Sequence, residues 1–503
     1  MGIVFRQSIK ATIVNFTGAI LGALIVYLST TLISPQGYGF IKNITIAGSL
    51  ANFIVLLGTS QLASTFTQRY VGNDERKKVL VVICSIVPVV TTLLLTIPFL
   101  VFRSQIVNLY QPEDRALVDK YYLWVPVLVL LWSFMGFLDQ YLISQLRIAA
   151  SAFTREVLLR LCNILFIVLY YLKWITFHDL VVTSVLIYAL PPVIMLFIAM
   201  RTEGFGISAK WSAFAKAEYK EMVHYAWYHL LFGASLNIIG YVDSLMLAPL
   251  DRSGMGALAV YTTATYIATL MVIPYRAMVA ASYPILNKAY IENDTETLKD
   301  LFHRSGINIL IVAIAMCILI ACNLPAAVAI LPKGYQAVSG IVLVLMIGRA
   351  VDMATGLNSE VISISRYYKF NFYIAIVLVG VAITLNRILI PQFGYYGAAW
   401  SATLSLVIFN LGKMVYLYKK MRLLPFTSKS WRVLVAGGVA AAAGYYLPLM
   451  YSAGHSSYAM VFCDVLLRSG LIVVIYTVLL VVLKPSADLN SYIKAIRTEK
   501  RLF

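Results

Sequence analysis

An arginine and an aspartate lie three residues apart in the middle of an otherwise apolar segment. Arg349 and Asp352 fall on one face of a helix predicted over residues 338–363, and this face continues toward Thr355 and Glu360. Charges inside such an apolar segment are costly and usually mark a pathway or a functional site. The arginine can bind an anionic group that the aspartate helps to orient. Alternatively, the two form a buried ion pair that only fixes helix packing.

Polar residues at helical spacing mark three further apolar segments. A threonine hydroxyl can simply bond a carbonyl of its own helix, and this interpretation is favoured for the threonines. Lys42, near the end of its segment, either faces a lumen inside the protein or extends its ammonium group toward water at the segment end. The residues are Asn15 in segment 11–33, Lys42, Thr45, Ser49 and Asn52 in segment 40–65, and Thr262, Thr265, Thr269 and Arg276 in segment 256–284. The candidate binding residues are therefore Arg349, Asp352, Arg276, Lys42, Asn52, Asn15 and Thr269.

The other charges within apolar segments divide into three groups. Arg160 and Lys413 lie within about two turns of a segment end and are expected to extend to the membrane surface. Asp464 and Arg468 are four residues apart, which predicts an intrahelical ion pair. The acidic candidates for a proton or sodium relay are Asp139, Asp243, Asp352 and Glu360.

Sequence motifs for catalysis or for a cofactor are missing from the chain. It has no Ser–His–Asp order, no His-Glu-x-x-His, no Gly-x-x-x-x-Gly-Lys and no dinucleotide fingerprint after a strand. The five cysteines fall inside apolar segments without metal-ligand spacing, which favours apolar packing over a disulfide or metal site. We therefore expect no catalytic residue, no metal and no cofactor.

Fourteen segments of the chain are apolar enough to span a bilayer. A composition of 61% hydrophobic and 12% charged residues fits no soluble class, and a spanning helix needs about 20 apolar residues. No connection is long enough to fold as a catalytic domain. The predicted spans are 11–33, 40–65, 79–102, 121–143, 157–172, 180–199, 223–248, 256–284, 306–330, 338–363, 370–386, 398–418, 433–451 and 460–483.

The basic residues predict the orientation of these spans. With a cytoplasmic N-terminus, 27 of the 40 Lys and Arg residues lie in inside connections and only 7 in outside ones. Such a bias is a strong positive-inside signal and makes both termini cytoplasmic. The net charge of +18 is thereby assigned to topology and anionic lipid head groups rather than to nucleic acid.

The chain also contains an internal repeat. The connection after the first span reads SPQGYGFIKN, and the one after the seventh reads PLDRSGMGALAVY. Each is followed by a similar cytoplasmic loop, 70–74 and 290–294, at an offset of 219 to 220 residues, and 391–397 is a third echo. We predict an all-α protein with a six-helix lobe in 1–205, a second in 206–425 and two additional helices in 426–503. An even number of helices per copy relates the lobes by an axis along the membrane normal.

These features resemble a known family. The residues that carry the resemblance are Ser34 to Gly39, Tyr241 to Leu247 and Gly256 to Tyr261. Together with the six-plus-six-plus-two plan, they resemble Wzx-type polysaccharide flippases of the multidrug/oligosaccharidyl-lipid/polysaccharide exporter superfamily. The resemblance implies a V-shaped, alternating-access carrier in the bacterial plasma membrane. Its cargo would be an undecaprenyl-diphosphate-linked oligosaccharide, with H⁺ or Na⁺ coupling and polysaccharide polymerases as candidate partners.

The intramembrane charges bear on this implied cargo. A diphosphate needs fixed cations, which Arg349, Arg276 and Lys42 can supply, and sugar hydroxyls need groups such as Asn15. A multidrug or cation antiporter of the same superfamily is the first alternative and would favour an acidic, aromatic lumen. An integral-membrane glycan-assembly enzyme is the second, but the longest outside connection, about 103–120, is short for a catalytic loop. The charge of the central cavity distinguishes the first two.

Overall fold

The chain folds into α-helices, and each predicted span coincides with a helix or with consecutive helices. The computed structural model describes residues 3–202, 204–448 and 458–491, and no strand occurs in these ranges. Contacts divide the chain into two compact units, Met1–Ala259 and Val260–Phe503. The last residues of the predicted span 433–451 lie outside the described residues.

The first unit contains twelve complete described α-helices and begins a thirteenth. They are α1 (Ile3–Leu32), α2 (Pro35–Leu56), α3 (Thr59–Arg69), α4 (Asp74–Val101), α5 (Arg103–Asn108), α6 (Pro112–Lys120), α7 (Trp124–Ser144), α8 (Ile148–Phe153), α9 (Leu159–Tyr171), α10 (Phe177–Leu186), α11 (Leu190–Met200), α12 (Lys216–Leu250) and the start of α13 (Gly254–Leu270). A π turn, Thr154–Leu158, joins α8 to α9, and 3₁₀ turns lie at Ile187–Ala189 and Trp211–Ala213.

The second unit continues α13 and adds eight described α-helices. They are α14 (Val272–Ile291), α15 (Thr295–Ala329), α16 (Val338–Ala354), α17 (Asn358–Ile364), α18 (Lys369–Phe393), α19 (Tyr395–Met421), α20 (Ser430–Tyr446) and α21 (Tyr458–Leu483).

The helices identify a multi-pass membrane protein. Among the described residues, nine helical segments are individually long and apolar enough to cross a membrane, and two bent pairs bring the number to eleven. The pairs are α13 with α14, bent by 44°, and α16 with α17, bent by 45°. A π turn interrupts the helix at predicted span 157–172, and α20 has only 17 residues. The number fourteen therefore stays a prediction.

Large apolar side chains lie open on the helix surfaces, as a lipid environment requires. On α4, Leu93, Leu94 and Ile97 are each at least 60% exposed. In water, such a contiguous apolar face would be a liability. In a bilayer it contacts hydrocarbon, so hydrophobicity no longer separates the outside of the helix from its packed side.

The sequence Gly37-Tyr38-Gly39 lies in the first turns of α2 and allows close packing there. The Ser34 hydroxyl accepts a hydrogen bond from the Gly37 N–H at 3.2 Å, and Pro35 occupies a first-turn position where no N–H is needed. Gly39 lies against the backbone of Met255, where a Cβ would overlap the carbonyl oxygen. The glycine therefore permits α2 to approach the first residues of α13.

The predicted span 40–65 is broken into α2 and α3. Leu57 and Gly58 both have left-handed backbone angles, with φ of 44° and 78°. Gly58 also lies against the backbone of Ala226 on α12, where a Cβ would overlap the carbonyl oxygen. Glycine at this position accommodates both the left-handed conformation and the close helix contact.

The connection between α4 and α7 binds the turn between α12 and α13. Gln111 donates a hydrogen bond to the Pro249 carbonyl at 3.1 Å, and the Asp114 carboxylate accepts the Met255 N–H at 3.0 Å. Asp114 is 3% exposed, and this burial raises the pKa of its carboxyl group. Gly254 has φ of 51° and leaves room for the carboxylate. An acidic side chain from a distant segment thus caps the start of α13.

Several landmarks recur at equivalent places of the predicted repeat. The Asn73 side chain caps α4 by accepting the Arg76 N–H, and the Asp294 side chain caps α15 by accepting the Thr297 N–H. In each copy, the helix that follows the glycine-rich turn is interrupted, once between α2 and α3 and once between α13 and α14. The division into lobes 1–205 and 206–425, with two further helices in 426–503, stays a prediction.

In the second unit, an ion pair fixes α21 against α20. Arg468 and Asp464 are 2% and 1% exposed, and their Nη2 and Oδ1 atoms are 3.1 Å apart, which confirms the predicted intrahelical pair. Arg468 also donates to the carbonyl oxygens of Gly444 and Leu447 at the end of α20. Apolar side chains of α15, α20 and α21 pack beside it, including Ile472.

Replacing Arg468 with Ala is expected to destabilise the protein, because it leaves the buried Asp464 carboxylate unpaired. Breaking a buried pair from one side typically costs about 3–5 kcal/mol. The measurement is the midpoint temperature of the detergent-solubilised protein, followed by size-exclusion chromatography after heating. The double variant with Asp464→Ala should recover part of the loss, and Lys288→Ala, in an exposed pair with Glu292, should change little. Equal midpoints for Arg468→Ala and the unmodified protein contradict the assignment.

Candidate functional site

Lys42 is a cation without a carboxylate partner on α2. Its side chain makes no hydrogen bond or ion pair among the residues that the structure describes. The ammonium group lies 5.3 Å from the centre of the Tyr38 ring, a distance that permits a cation–π contact. Arg160 and Tyr241 are within electrostatic range of it. The site at Lys42 is therefore electropositive and aromatic.

Two further arginines in this unit are neutralised by acids. Arg155 pairs with Asp139 at 2.7 Å and with Glu156 at 3.1 Å, and Arg160 pairs with Glu156 at 2.6 Å. When Lys42 is counted with these two arginines, three cations stand against the two carboxylates. The group therefore has one net positive charge. Asp139 also accepts the Ser151 hydroxyl. A carboxylate held this way favours a structural role for Asp139, and its relay function stays a prediction.

A π turn carries the central residues of this charged network. Thr154–Leu158 carries both Arg155 and Glu156, and π turns inside α-helices occur frequently at functional sites. Gly18 of α1 packs against Glu156, and Arg160 donates to the Gly18 carbonyl. The expectation that Arg160 extends to the membrane surface is therefore wrong, because its guanidinium group bonds the Gly18 carbonyl of α1 and the Glu156 carboxylate of the π turn.

Buried polar atoms without a partner lie on α2, which carries Lys42, and on α7. Asn52 Oδ1 and Trp132 Nε1 are buried and have no hydrogen-bond partner among the described residues. Trp132 packs edge-on against Tyr188 at 5.1 Å and also lies beside Gly48 of α2. Tyr188 is in turn within electrostatic range of Arg160. Buried donors and acceptors are normally satisfied, so these atoms are suited to meeting a polar ligand.

Several residues of the polar stripes bond their own helices. The hydroxyls of Thr45, Ser49, Thr265 and Thr269 each donate to a backbone carbonyl three or four residues earlier. This confirms the interpretation favoured for the threonines and leaves Thr269 without a free donor. Arg276 and Asn15 are both exposed, with no recorded hydrogen bond or ion pair among the described residues. Their binding roles stay predictions.

In the second unit, the predicted partners on α16 are not paired with each other. Arg349 is half-buried and has no ion pair or hydrogen bond among the described residues. Asp352 instead accepts a hydrogen bond from the Asn410 amide at 2.9 Å, and the amide oxygen of Asn410 accepts one from Thr355 at 3.1 Å. Arg349 is therefore available to an external anion, whereas Asp352 belongs to a network between α16 and α19.

A buried lysine joins this second network. Lys413 is 2% exposed, and its ammonium group donates to the Ser359 hydroxyl at 2.7 Å. The expectation that Lys413 extends to the membrane surface is wrong, because Asp352 and Glu360 lie within electrostatic range and stabilise its charge inside the unit. One carboxylate oxygen of Glu360 is buried and has no hydrogen-bond partner among the described residues. The same holds for both side-chain polar atoms of Asn358.

The sequence interpretation missed the contribution of α19. Asn410 and Lys413 are three residues apart and therefore share a helix face, which is the same signal that identified Arg349 and Asp352. The position of Lys413 near a predicted span end hides this signal. Asp243, the remaining relay candidate, is buried on α12, and its carboxylate accepts the N–H of Ser244 at 2.8 Å.

Comparison with solved structures defines the fold. A lipid II flippase, MurJ, in an inward closed conformation has a TM-score of 0.72 and 15% identity, over 94% of this chain and 98% of that one. A multidrug resistance MATE family transporter of the MOP superfamily in an inward-facing conformation has a TM-score of 0.63 and 14% identity, over 80% and 94%. A MOP superfamily transporter from Pyrococcus furiosus has a TM-score of 0.57 and 17% identity, over 84% and 96%.

Sequence comparison defines the family. No curated protein matches the chain. A family model described as polysaccharide biosynthesis protein matches residues 4–290, which is more than half of the chain. The chain therefore belongs to the polysaccharide biosynthesis protein family and has the fold of the multidrug/oligosaccharidyl-lipid/polysaccharide exporter superfamily.

Proposed function

We propose that this protein is a flippase that moves undecaprenyl-diphosphate-linked oligosaccharide units from the cytoplasmic to the outer leaflet by alternating access. The observation that carries this proposal is the unpaired Lys42 in a group of membrane-embedded side chains with net positive charge. A cation held in an apolar surrounding without a counterion is costly. An anionic cargo that arrives and leaves supplies the missing charge in each transport cycle.

Side chains of α2, of α7 and α9, and of the 3₁₀ turn between α10 and α11 suit both parts of such a cargo. Lys42 and Arg160 bind the diphosphate, and the guanidinium group of Arg160 is held in place by Glu156. Trp132, Tyr188 and Asn52 offer aromatic faces and unpaired polar atoms to the sugar. In the second unit, we assign to Arg349, a cation without an ion pair among the described residues, a further contact with the diphosphate. The protein acts as a carrier in the bacterial plasma membrane, and both termini are cytoplasmic.

The acidic network of the second unit is suited to coupling rather than to cargo binding. Asp352, Glu360 and Lys413 place two carboxylates and one ammonium group in a buried region. A proton or a sodium ion that binds there would satisfy the partnerless oxygen of Glu360 and change the charge of the group. We assign H⁺ or Na⁺ coupling to Glu360, with Asp352 as its neighbour, and polysaccharide polymerases as the proteins that consume the exported unit.

The same acidic pair supports the second candidate function, cation antiport. A cationic drug would be attracted to a cavity in which Asp352 and Glu360 dominate, but Lys413 already offsets one of these carboxylates. The unpaired cations Lys42 and Arg349 also repel such a drug. The two functions differ in cargo charge, so the variants below distinguish them: loss of a cation weakens flippase activity and strengthens binding of cationic drugs.

Replacing Lys42 with Ala should reduce polysaccharide export at least about tenfold, because one charged hydrogen bond contributes about 1.5–3 kcal/mol. The measurement is surface polysaccharide in a strain that lacks its own flippase, with membrane levels followed by immunoblot. Lys42→Arg should retain part of the activity, and Lys333→Ala, at an exposed position between predicted spans, should retain all of it. Full export by Lys42→Ala overturns the cargo role.

Replacing Arg349 with Ala should abolish export while the protein stays in the membrane, and Arg349→Lys should restore only part of it. A guanidinium group binds a diphosphate through two parallel hydrogen bonds, whereas an ammonium group acts as a point charge. The double variant Arg349→Ala with Asp352→Ala should stay inactive, since Asp352 bonds Asn410 instead of Arg349. Recovery of export in the double variant assigns Arg349 a structural role and contradicts the proposal.

Replacing Glu360 with Gln should remove the response of transport to an ion gradient. The amide has nearly the same shape but cannot lose a proton or offer a full negative charge to sodium. The measurement is flipping of a fluorescent lipid-linked oligosaccharide in proteoliposomes, with and without an imposed proton or sodium gradient. Glu292→Gln, at an exposed position in the loop before α15, is the matched control. A Glu360→Gln variant that still accelerates under the gradient refutes this coupling site.

A further inference from the structure

An apolar groove runs along the outside of the first unit, among α4, α7 and α11. Its volume is about 310 Å³. Val81 of α4, Phe134 of α7 and Val193 of α11 contribute to its walls, and Phe205 and Ile207 of the connection after α11 line one end. Val193 is 62% exposed and Ile207 is 86% exposed, so the groove is open to its surroundings.

A lysine stands at the end of this groove where Phe205 and Ile207 lie. Lys78, Val81 and Ser85 are spaced by three and four residues and therefore share one face of α4, and the latter two line the groove. Gly206, between the two lining residues of the connection, lies against Lys78, where a Cβ would be 3.3 Å from Cε. The lysine stem thus borders the groove at its entrance.

The charge of Lys78 has no close protein counterion. Lys78 makes no hydrogen bond or ion pair within the described part of the chain. The nearby acid, Glu75, is within electrostatic range but bonds Lys210 at 3.3 Å and the Ser208 hydroxyl at 3.1 Å. Arg201, which follows α11, stacks on the Phe197 ring at 4.3 Å and adds a second cation at the same end of the wall helices.

We propose that the groove binds one acyl chain of an anionic membrane phospholipid, with the lipid phosphate at Lys78. The apolar walls suit a hydrocarbon chain, and the cation at the entrance suits an anionic head group. From Lys78 to Ser85 the groove follows about 10 Å of helix, whereas half of a hydrocarbon core is about 15 Å thick. The groove therefore extends through part of one leaflet, as a chain of a leaflet phospholipid does. On the predicted orientation, this is the cytoplasmic leaflet.

The test is native mass spectrometry of the full-length protein in detergent, titrated with dioleoyl phosphatidylglycerol or dioleoyl phosphatidylcholine. The first bound phosphatidylglycerol should be retained about fivefold better than phosphatidylcholine, the preference expected from one basic residue near an anionic head group. Lys78→Gln should lose this preference and Lys78→Arg should keep it. Val193→Trp should fill the groove and weaken the first binding event of both lipids.

The control is Lys419→Gln, which removes an exposed lysine at the end of α19. If this variant lowers the preference as much as Lys78→Gln, general charge attraction explains the binding and the proposed site is wrong. Unchanged binding by Val193→Trp also overturns it. Displacement of phosphatidylglycerol by an equal concentration of undecaprenyl phosphate assigns the groove to an isoprenoid lipid instead. A size-exclusion profile equal to that of the unmodified protein verifies that each variant is folded.

Discussion

The energetic cost of a charge inside an apolar protein governs the arrangement of the polar side chains. Arg155, Arg160 and Arg468 all lie within predicted spans or at their ends, and each has a carboxylate within 3.2 Å. Lys413 is held by a hydroxyl and by the field of two nearby acids. These groups are compensated within the fold. The exceptions are Lys42, Arg276 and Arg349, which have no carboxylate partner among the described residues. Of these, Lys42 and Arg349 are partly buried, whereas Arg276 is exposed.

Interruptions of the helices concentrate polar groups where a regular helix would exclude them. The π turn at Thr154–Leu158 presents Arg155 and Glu156 together. The bend between α16 and α17 exposes the Gly356 carbonyl, which accepts the Tyr275 hydroxyl at 3.3 Å, and it is followed directly by Asn358 and Glu360. Irregular backbone inside a membrane is tolerated where it is buried in protein or lines a polar cavity. Both charged networks therefore lie at positions where the helix is bent or wound differently.

The sequence predicts the helices well, because apolar length and charge are local properties. Each predicted span coincides with described helix, and the Arg468–Asp464 pair follows from a spacing of four. Partners across helices are not local, and there the prediction failed: Asp352 meets Asn410, 58 residues away, rather than Arg349 on its own helix. The expectation that Lys413 extends to the membrane surface is wrong for the same reason. The distance of Lys413 from a span end does not show that Asp352 and Glu360, on other helices, lie close to its ammonium group.

The two networks differ in charge, and this difference bears on what each can do. In the first unit, Lys42, Arg155 and Arg160 outnumber Asp139 and Glu156, and buried polar atoms of Asn52 on α2 and Trp132 on α7 have no partner among the described residues. Because its net charge is positive, such a group is stabilised by binding an anion. In the second unit, Lys413 is shared by Asp352 and Glu360, so one more positive charge, a proton or a small cation, would complete the balance. Anion binding and cation binding thus follow from which sign of charge each network leaves uncompensated. Arg349, which bonds none of the residues of the second network, stays in that unit as a separate cation available to an anion.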